Sequence, residues 1–231
     1  MNVYCYDYWN YVLNKEKYMN DVYSKAKQIA LEAMECSTTY EKIKYVHDYL
    51  VMNVEYDDEA VAEVNRTVQK ASSQQSHTVY GALVNQLAVC DGYTKAFQLI
   101  MNMLNIECEY IEGYASGEAH TWNYIKLDGE QYWMDVTWDD YNFRDENGNP
   151  VYSNSVNYDY YCISSEKLFR THEPDYNYDI PVCDAMQRKS DEQIISVQFA
   201  SLNEFYEVVV EKYFSTTTFG ISFVNKKSVL S

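Results

Sequence analysis

Three residues could together form an activated thiol: Cys90, His120 and Asp135. Cys90 follows Tyr80-Gly81-Ala82-Leu83-Val84-Asn85-Gln86-Leu87-Ala88-Val89 and precedes Asp91-Gly92-Tyr93. From Tyr93 onward, apolar residues recur at Phe97, Ile100 and Leu104, on one face of a 3.6-residue period. Asn105 suits the left-handed end of such a helix. The spacing therefore puts Cys90 at the start of a buried helix about four turns long. Free N–H groups and the dipole at a helix start favour a thiolate and can hold an oxyanion. A small buried core cysteine is the competing reading of Cys90 alone.

His120 and Asp135 fall in two alternating runs. Ala119 to Leu127 and Glu130 to Trp138 flank Asp128-Gly129, a strong two-residue hairpin signal. That turn sets Leu127 opposite Glu130, Trp122 opposite Asp135 and His120 opposite Thr137. His120 and Asp135 then become diagonal neighbours on one face, and a one-residue slip would separate them. A histidine oriented by an aspartate, with a cysteine at a helix start, is a base, an orienting group and a nucleophile. Trp122 and Trp133 share the face of His120, as core or as a wall of the cleft. The Cys90 N–H is one expected oxyanion donor, and Tyr80 and Gln86 lie within loop reach as candidates for the second. His47, His77 and His172 read as structural, capping or loop residues.

Tyr-Gly-Ala-Leu-Val at 80–84, Val-Cys-x-Gly-Tyr at 89–93, His-x-Trp-Asn at 120–123 and Asp-Val-Thr-Trp-Asp-Asp at 135–140 resemble the bacterial transglutaminase-like superfamily. His47-Asp48-Tyr49-Leu50-Val51 with Val54-Glu55-Tyr56-Asp57 is similar to its helical lead-in. Tyr160-Tyr161-Cys162-Ile163-Ser164 and Thr171-His172 are similar to its closing segment. The resemblance covers roughly residues 20 to 183. Asn105, Gln86 and Met134 depart from the family's usual residues, but no triad position is lost. The resemblance implies a Cys-His-Asp triad at Cys90, His120 and Asp135 on a papain-like α+β fold. It implies acyl transfer from a protein carboxamide or peptide bond through a thioester, resolved by an amine or by water. Trp138 and Asp139 continue the motif, and Trp138 joins Tyr80, Gln86 and Trp122 as a cleft candidate. A non-catalytic protein-binding module on the same fold is the alternative.

The rest of the chain must position these residues. Val22, Ala26, Ile29, Ala30 and Ala33 share a helical face. Thr38 and Glu41 form a capping box before a second helix with Tyr40, Ile43, Val46 and Leu50 inward. Residues 57 to 76 are polar and read as surface. Thr78 could cap a short helix over 79 to 84. Cys108 to Tyr114 reads as a strand, and 139 to 158 as a polar loop whose Asp145-Pro150 turn lacks the calcium-loop pattern. From about 185 the pattern is strand, helix, strand: Ile195, Val197 and Phe199; a helix opened by Ser201 and Glu204; then Phe219, Ile221 and Phe223. The expected organisation is a catalytic domain over 1–184 and a β-α-β extension over 185–231, α+β overall.

The 231 residues are 47% hydrophobic and 16% aromatic, with 25 Tyr, 7 Gly and 3 Pro, a globular composition without a long flexible linker. The formal net charge of −17 with no basic run argues against nucleic acid as a partner. The expected partner is a protein or peptide substrate. No stretch reads as a membrane span. Met1 to Tyr8 shows no signal-peptide pattern, so the chain as given reads as cytoplasmic, or as extracellular if a leader was removed. Six dispersed cysteines, one of them a nucleophile, leave an odd number, which suits a reducing compartment. Without close Cys or His pairs no zinc site is expected, and the chemistry calls for no cofactor.

Overall fold

The computed structural model describes residues 3–63, 71–140, 143–144, 150–151, 156–175 and 180–185. A long helix, α1 (Val3–Met34), is followed by α2 (Thr39–Asn53). The Thr38 capping box opens α2: the Thr38 hydroxyl accepts the Glu41 N–H and the Glu41 carboxylate accepts the Thr38 N–H. Then come β1 (Glu55–Tyr56), α3 (Asp58–Glu63), α4 (Ala71–Gln75), a π-helical turn (Gly81–Asn85) and β2 (Leu87–Ala88). The helix α5 (Cys90–Met103) leads into β3 (Cys108–Ala115), β4 (Glu118–Leu127) and β5 (Glu130–Met134). The one-turn helix α6 (Val136–Asp139), β6 (Phe143–Arg144), β7 (Pro150–Val151), α7 (Ser165–Leu168) and β8 (His172–Pro174) complete the described elements.

The main sheet is antiparallel in the order β5-β4-β3-β8. Its β4–β5 register puts Leu127 opposite Glu130 and Asn123 opposite Met134, as the Asp128-Gly129 turn requires. Both turn residues have positive φ, 54° and 86°, the conformation that matches strand twist in a two-residue hairpin. The ladder ends at Met134. Asp135 stays extended and the chain then turns into α6, so Thr137 does not face His120 as strand pairing alone would predict.

Both faces of the sheet are covered. On one side, Ile125, Leu127, Tyr132 and Met134 pack with Phe97, Ile100 and Met101 of α5, and beyond them Ala26, Ile29, Ile43, Val46 and Leu50 of α1 and α2. On the other, Ile111, Trp122, Tyr124 and Trp133 pack under Ile163, Leu168 and Cys183 of the later segment. Trp133 is core, fully buried, with its Nε1 donating to Ser165 Oγ at 3.0 Å.

Two expectations need correction or limits. The polar stretch 57–76 is not simply surface: Asp57 and Ser76 are buried and joined by a 2.5 Å hydrogen bond, which satisfies the carboxylate away from water. The β-α-β extension over 185–231 lies outside the described residues beyond Ala185, as does most of 141–155. No helix among the described residues is long and apolar enough to cross a membrane.

Candidate active site

Cys90 is the first residue of α5, and Val89 before it is extended. The approach is braced by short backbone links. β2 pairs parallel with β1, Tyr56 beside Ala88, and the Val89 N–H donates to the Ser76 carbonyl at 3.0 Å. Gly92 makes this possible: a Cβ there would sit 2.6 Å from the Ser76 carbonyl oxygen and 2.7 Å from the Ala88 Cβ. At the far end Asn105 has φ 57°, the left-handed cap expected from its side chain. Cys36, Cys90, Cys108, Cys162 and Cys183 carry free thiols, and Cys90 is half-buried. Burial pushes the Cys108 thiol up, and the Cys183 thiol to about 12.

His120 lies on the part of β4 that runs past the end of β5, where, among the described strands, only β3 flanks it. Its Nε2 is 2.8 Å from Asp135 Oδ2. Cys90 is close enough to act on the ring, and with Nε2 engaged by Asp135, Nδ1 is the nitrogen left for sulfur. Burial works against a charged ring, yet the Asp135 carboxylate and then Cys90 outweigh it and raise His120 to about 10. Asp135 is almost fully buried. Burial favours its neutral form, but His120 and then His172 hold it far below the ordinary carboxylate range. Its Oδ1 also caps α6 by accepting the Trp138 N–H at 3.1 Å.

The residue that the local sequence pattern misses is His172. It is not in a loop: it lies on β8, opposite Ala115, and its Nε2 is 3.0 Å from the same Asp135 Oδ2. Its Nδ1 is 2.8 Å from Thr171 Oγ1. The rings of Trp122, Trp138 and Tyr160 surround it at 5.0, 4.6 and 5.4 Å between centroids. His120, Asp135 and His172 each offer one ligand atom, all within 4.8 Å of one another, a donor set that also suits a divalent cation. The 2.8 and 3.0 Å contacts are hydrogen-bond lengths. With both ring N–H groups turned to the carboxylate, the histidines present protons to it rather than lone pairs.

The remaining candidates divide. Trp122 is buried, nearly parallel to His120 at 6.1 Å, and its Nε1 has no hydrogen-bond partner among the described residues. Trp138 is half-buried and packs on both His120 and His172. Tyr80 packs edge-on against Tyr18 of α1 at 4.7 Å. Gln86 has φ 56°, an exposed side chain, and a carbonyl that accepts the Glu55 N–H. Tyr56 lies beside the site unannounced by its spacing: burial first, then its proximity to Cys90, raises its phenol. His47 is structural, fully buried between Asp48 Oδ1 at 3.0 Å and Asp139 Oδ2 at 3.1 Å. His77 meets Asp91 at 3.2 Å near the start of α5.

None of the curated proteins matches the chain. Among solved structures, one described as a TGase is 20% identical, with a TM-score of 0.49 over 63% of this chain and 41% of that one. A candidate cysteine protease from Cytophaga hutchinsonii is 18% identical, with a TM-score of 0.38 over 50% and 37%. A candidate protease from Parabacteroides distasonis is 10% identical, with a TM-score of 0.36 over 51% and 25%. The chain thus spans less than half the length of each of these three proteins. Residues 20–138, just over half of the 231, match the model of one family. With its α+β, papain/transglutaminase-like core, the chain belongs to the transglutaminase-like superfamily.

Proposed function

We propose that the protein is a cysteine acyl-transfer enzyme acting on a protein carboxamide or a peptide bond. The observation that carries this reading is the buried His120–Asp135 contact at 2.8 Å beside a cysteine at a helix start. Cys90 Sγ attacks the carbonyl carbon, forming the C–S bond and a tetrahedral oxyanion. The Cys90 N–H, one of the four at a helix start that lack an intrahelical acceptor, is positioned for that oxyanion. His120 holds the proton taken from the thiol and delivers it to the leaving nitrogen as the C–N bond breaks. Asp135 keeps Nε2–H on its own side, so that Nδ1 works toward sulfur.

The thioester is then resolved by an amine, giving a cross-link, or by water, giving deamidation or cleavage. Water in an open cleft is present at about 55 M, so an amine competes only if the site holds it in place. Trp122 and Trp133 are committed to packing, which leaves the half-buried Trp138 as the one of these three able to flank a lysine stem. Hydrolysis is therefore at least as favoured as cross-linking. The test incubates the protein with a glutamine-rich protein and a labelled primary amine, following amine incorporation, ammonia release and peptide cleavage together. Ammonia release or cleavage that disappears in Cys90→Ala is the expected result. Dominant Cys90-dependent amine incorporation would reverse the hydrolytic leaning, and absence of all three would favour a binding module.

A further inference from the structure

We propose that His172 is a positioning residue for the Cys90 chemistry, acting through Asp135; the proposal rests on the acyl-transfer reading above. Asp135 Oδ2 is shared by two ring nitrogens, His120 Nε2 at 2.8 Å and His172 Nε2 at 3.0 Å. His120 and the Trp138 N–H hold one oxygen each, and the His172 ring adds a second donor to Oδ2 from a different element, β8. Two ring N–H donors on one oxygen, with the Trp138 N–H on the other, fix both oxygens at once. The second histidine also adds a charge-assisted hydrogen bond that keeps Asp135 in the ionised form His120 needs.

His172 is itself oriented. Thr171 Oγ1 holds its Nδ1 at 2.8 Å, and that hydroxyl also reaches the Leu168 carbonyl at 3.3 Å and Tyr160 Oη at 3.4 Å. Three aromatic rings then limit its tilt. The strand that carries it is tied to β3 by the Ser116 N–H on the Thr171 carbonyl at 2.8 Å and the Asp175 N–H on the Glu112 carbonyl at 2.9 Å. The approach is close because residue 113 is glycine. A Cβ there would lie 2.2 Å from the Glu173 carbonyl oxygen and 2.8 Å from the Pro174 Cα. His172 also lies beyond residues 20–138, the segment that matches the family model. The site is therefore completed by a part of the chain outside that match.

The experiment uses the full chain and iodoacetamide as the probe, measuring the Cys90 alkylation rate against pH by peptide mass mapping. Wild type, His172→Ala, His172→Gln, Thr171→Val and Asp135→Asn are compared, each with its thermal midpoint. Glutamine can place an N–H where Nε2 lies, so it separates loss of the donor from loss of the imidazole. The expected result is a half-maximal pH raised by about one unit in His172→Ala, a tenfold change in the ionisation equilibrium. His172→Gln should recover most of that shift, and Thr171→Val should show a smaller shift in the same direction. Folded His172→Ala with a wild-type profile would overturn the proposal, as would His172→Gln no better than His172→Ala. If His172→Ala does not fold, the glutamine and Thr171→Val profiles decide: Thr171→Val unshifted while His172→Gln shifts fully would overturn it. Asp135→Asn separates the two levels. If its profile moves and those of the His172 and Thr171 variants do not, only this proposal fails. If it too stays unchanged, the acyl-transfer reading fails with it.

Discussion

Replacing Asp135 with asparagine tests the centre of the site. The carboxylate accepts three hydrogen bonds, from His120 and His172 on Oδ2 and from the Trp138 N–H on Oδ1. An asparagine has one oxygen. If it faces the histidines, its amide opposes the Trp138 N–H and α6 loses its cap, worth about 1 kcal/mol. If it faces Trp138, the amide opposes both rings and drives His120 to carry its proton on Nδ1, the nitrogen that must accept from sulfur. The charge is lost either way. His120 is raised from 6.5 to about 10, which at about 1.4 kcal/mol per tenfold in proton affinity amounts to about 5 kcal/mol. Asp135 is the larger source, ahead of Cys90. Crediting it with at least half gives about 2–3 kcal/mol, on the order of a hundredfold in rate at neutral pH.

The stability signature has a definite sign. Asp135 is held low, so its contribution is present above about pH 4 and fades as pH falls through its folded value. His120 is held high, so its contribution is complete below about 6.5 and fades as pH rises through about 10. Wild type should therefore exceed Asp135→Asn most between about pH 4 and 6.5. The assay is Cys90 alkylation at pH 7 together with thermal unfolding from pH 3 to 10. Alkylation at the wild-type rate in a folded variant, with a stability difference independent of pH, would refute the reasoning.

Three further outcomes follow from the same contacts. Under limiting iodoacetamide, Cys90 should be modified well before Cys108, Cys162 and Cys183, which are buried, and before the half-exposed Cys36, for which no histidine contact stands among the described residues; peptide mapping that shows even labelling would count against the site. Burial pushes Asp140 up to about 7 despite its contact with the Tyr93 hydroxyl, so wild type loses stability as pH rises from about 4 to 7. Asp140→Asn should thus raise the thermal midpoint most at pH 8 and little at pH 4, and an equal gain at both would contradict the assignment. Gly113→Ala must move β8 by about 1 Å to clear the 2.2 Å contact, which should cost about 1–3 kcal/mol, lower the thermal midpoint by several degrees and shift Cys90 alkylation in the same direction as His172→Ala. A wild-type midpoint and profile would refute the close approach at that glycine.

The parts of the site readable from sequence are those set by local chemistry. Asp128-Gly129 dictates a turn type, the turn type dictates the register, and the register puts His120 and Asp135 on one face. Periodicity after Cys90 gives the helix and its start, and Asn105 gives its end. His172 was hidden because its meaning is non-local. Thr171-His172-Glu173-Pro174 reads as a loop before proline, and becomes a strand only by pairing with Tyr114 and its neighbours on β3. One local signal existed: Gly113 in the middle of a strand pattern points to a backbone passing close by. The stretch 57–76 misled for a related reason. Polar side chains imply surface unless a distant partner satisfies them, and the partner of Asp57, Ser76, is at the far end of that same stretch.

The short helix α6 explains why the geometry around Asp135 and the fold are hard to separate. Its cap, Asp135, is bound to β4 through His120 and to β8 through His172. Its last residue, Asp139, is bound to α2 through His47, and its Oδ1 accepts the Tyr160 N–H at 2.8 Å. Two buried carboxylates on one turn thus join the helical layer to the sheet through histidines on three elements. A buried carboxylate that loses a partner is an uncompensated charge, so each of these contacts resists displacement by more than its own hydrogen bond. The Trp138 ring lies between the two ends and packs on His120, His172 and Tyr160. Substrate pressing on Trp138 would meet α6 as a braced unit rather than a loop. α6 is therefore held at its Asp135 end by β4 and β8 and at its Asp139 end by α2.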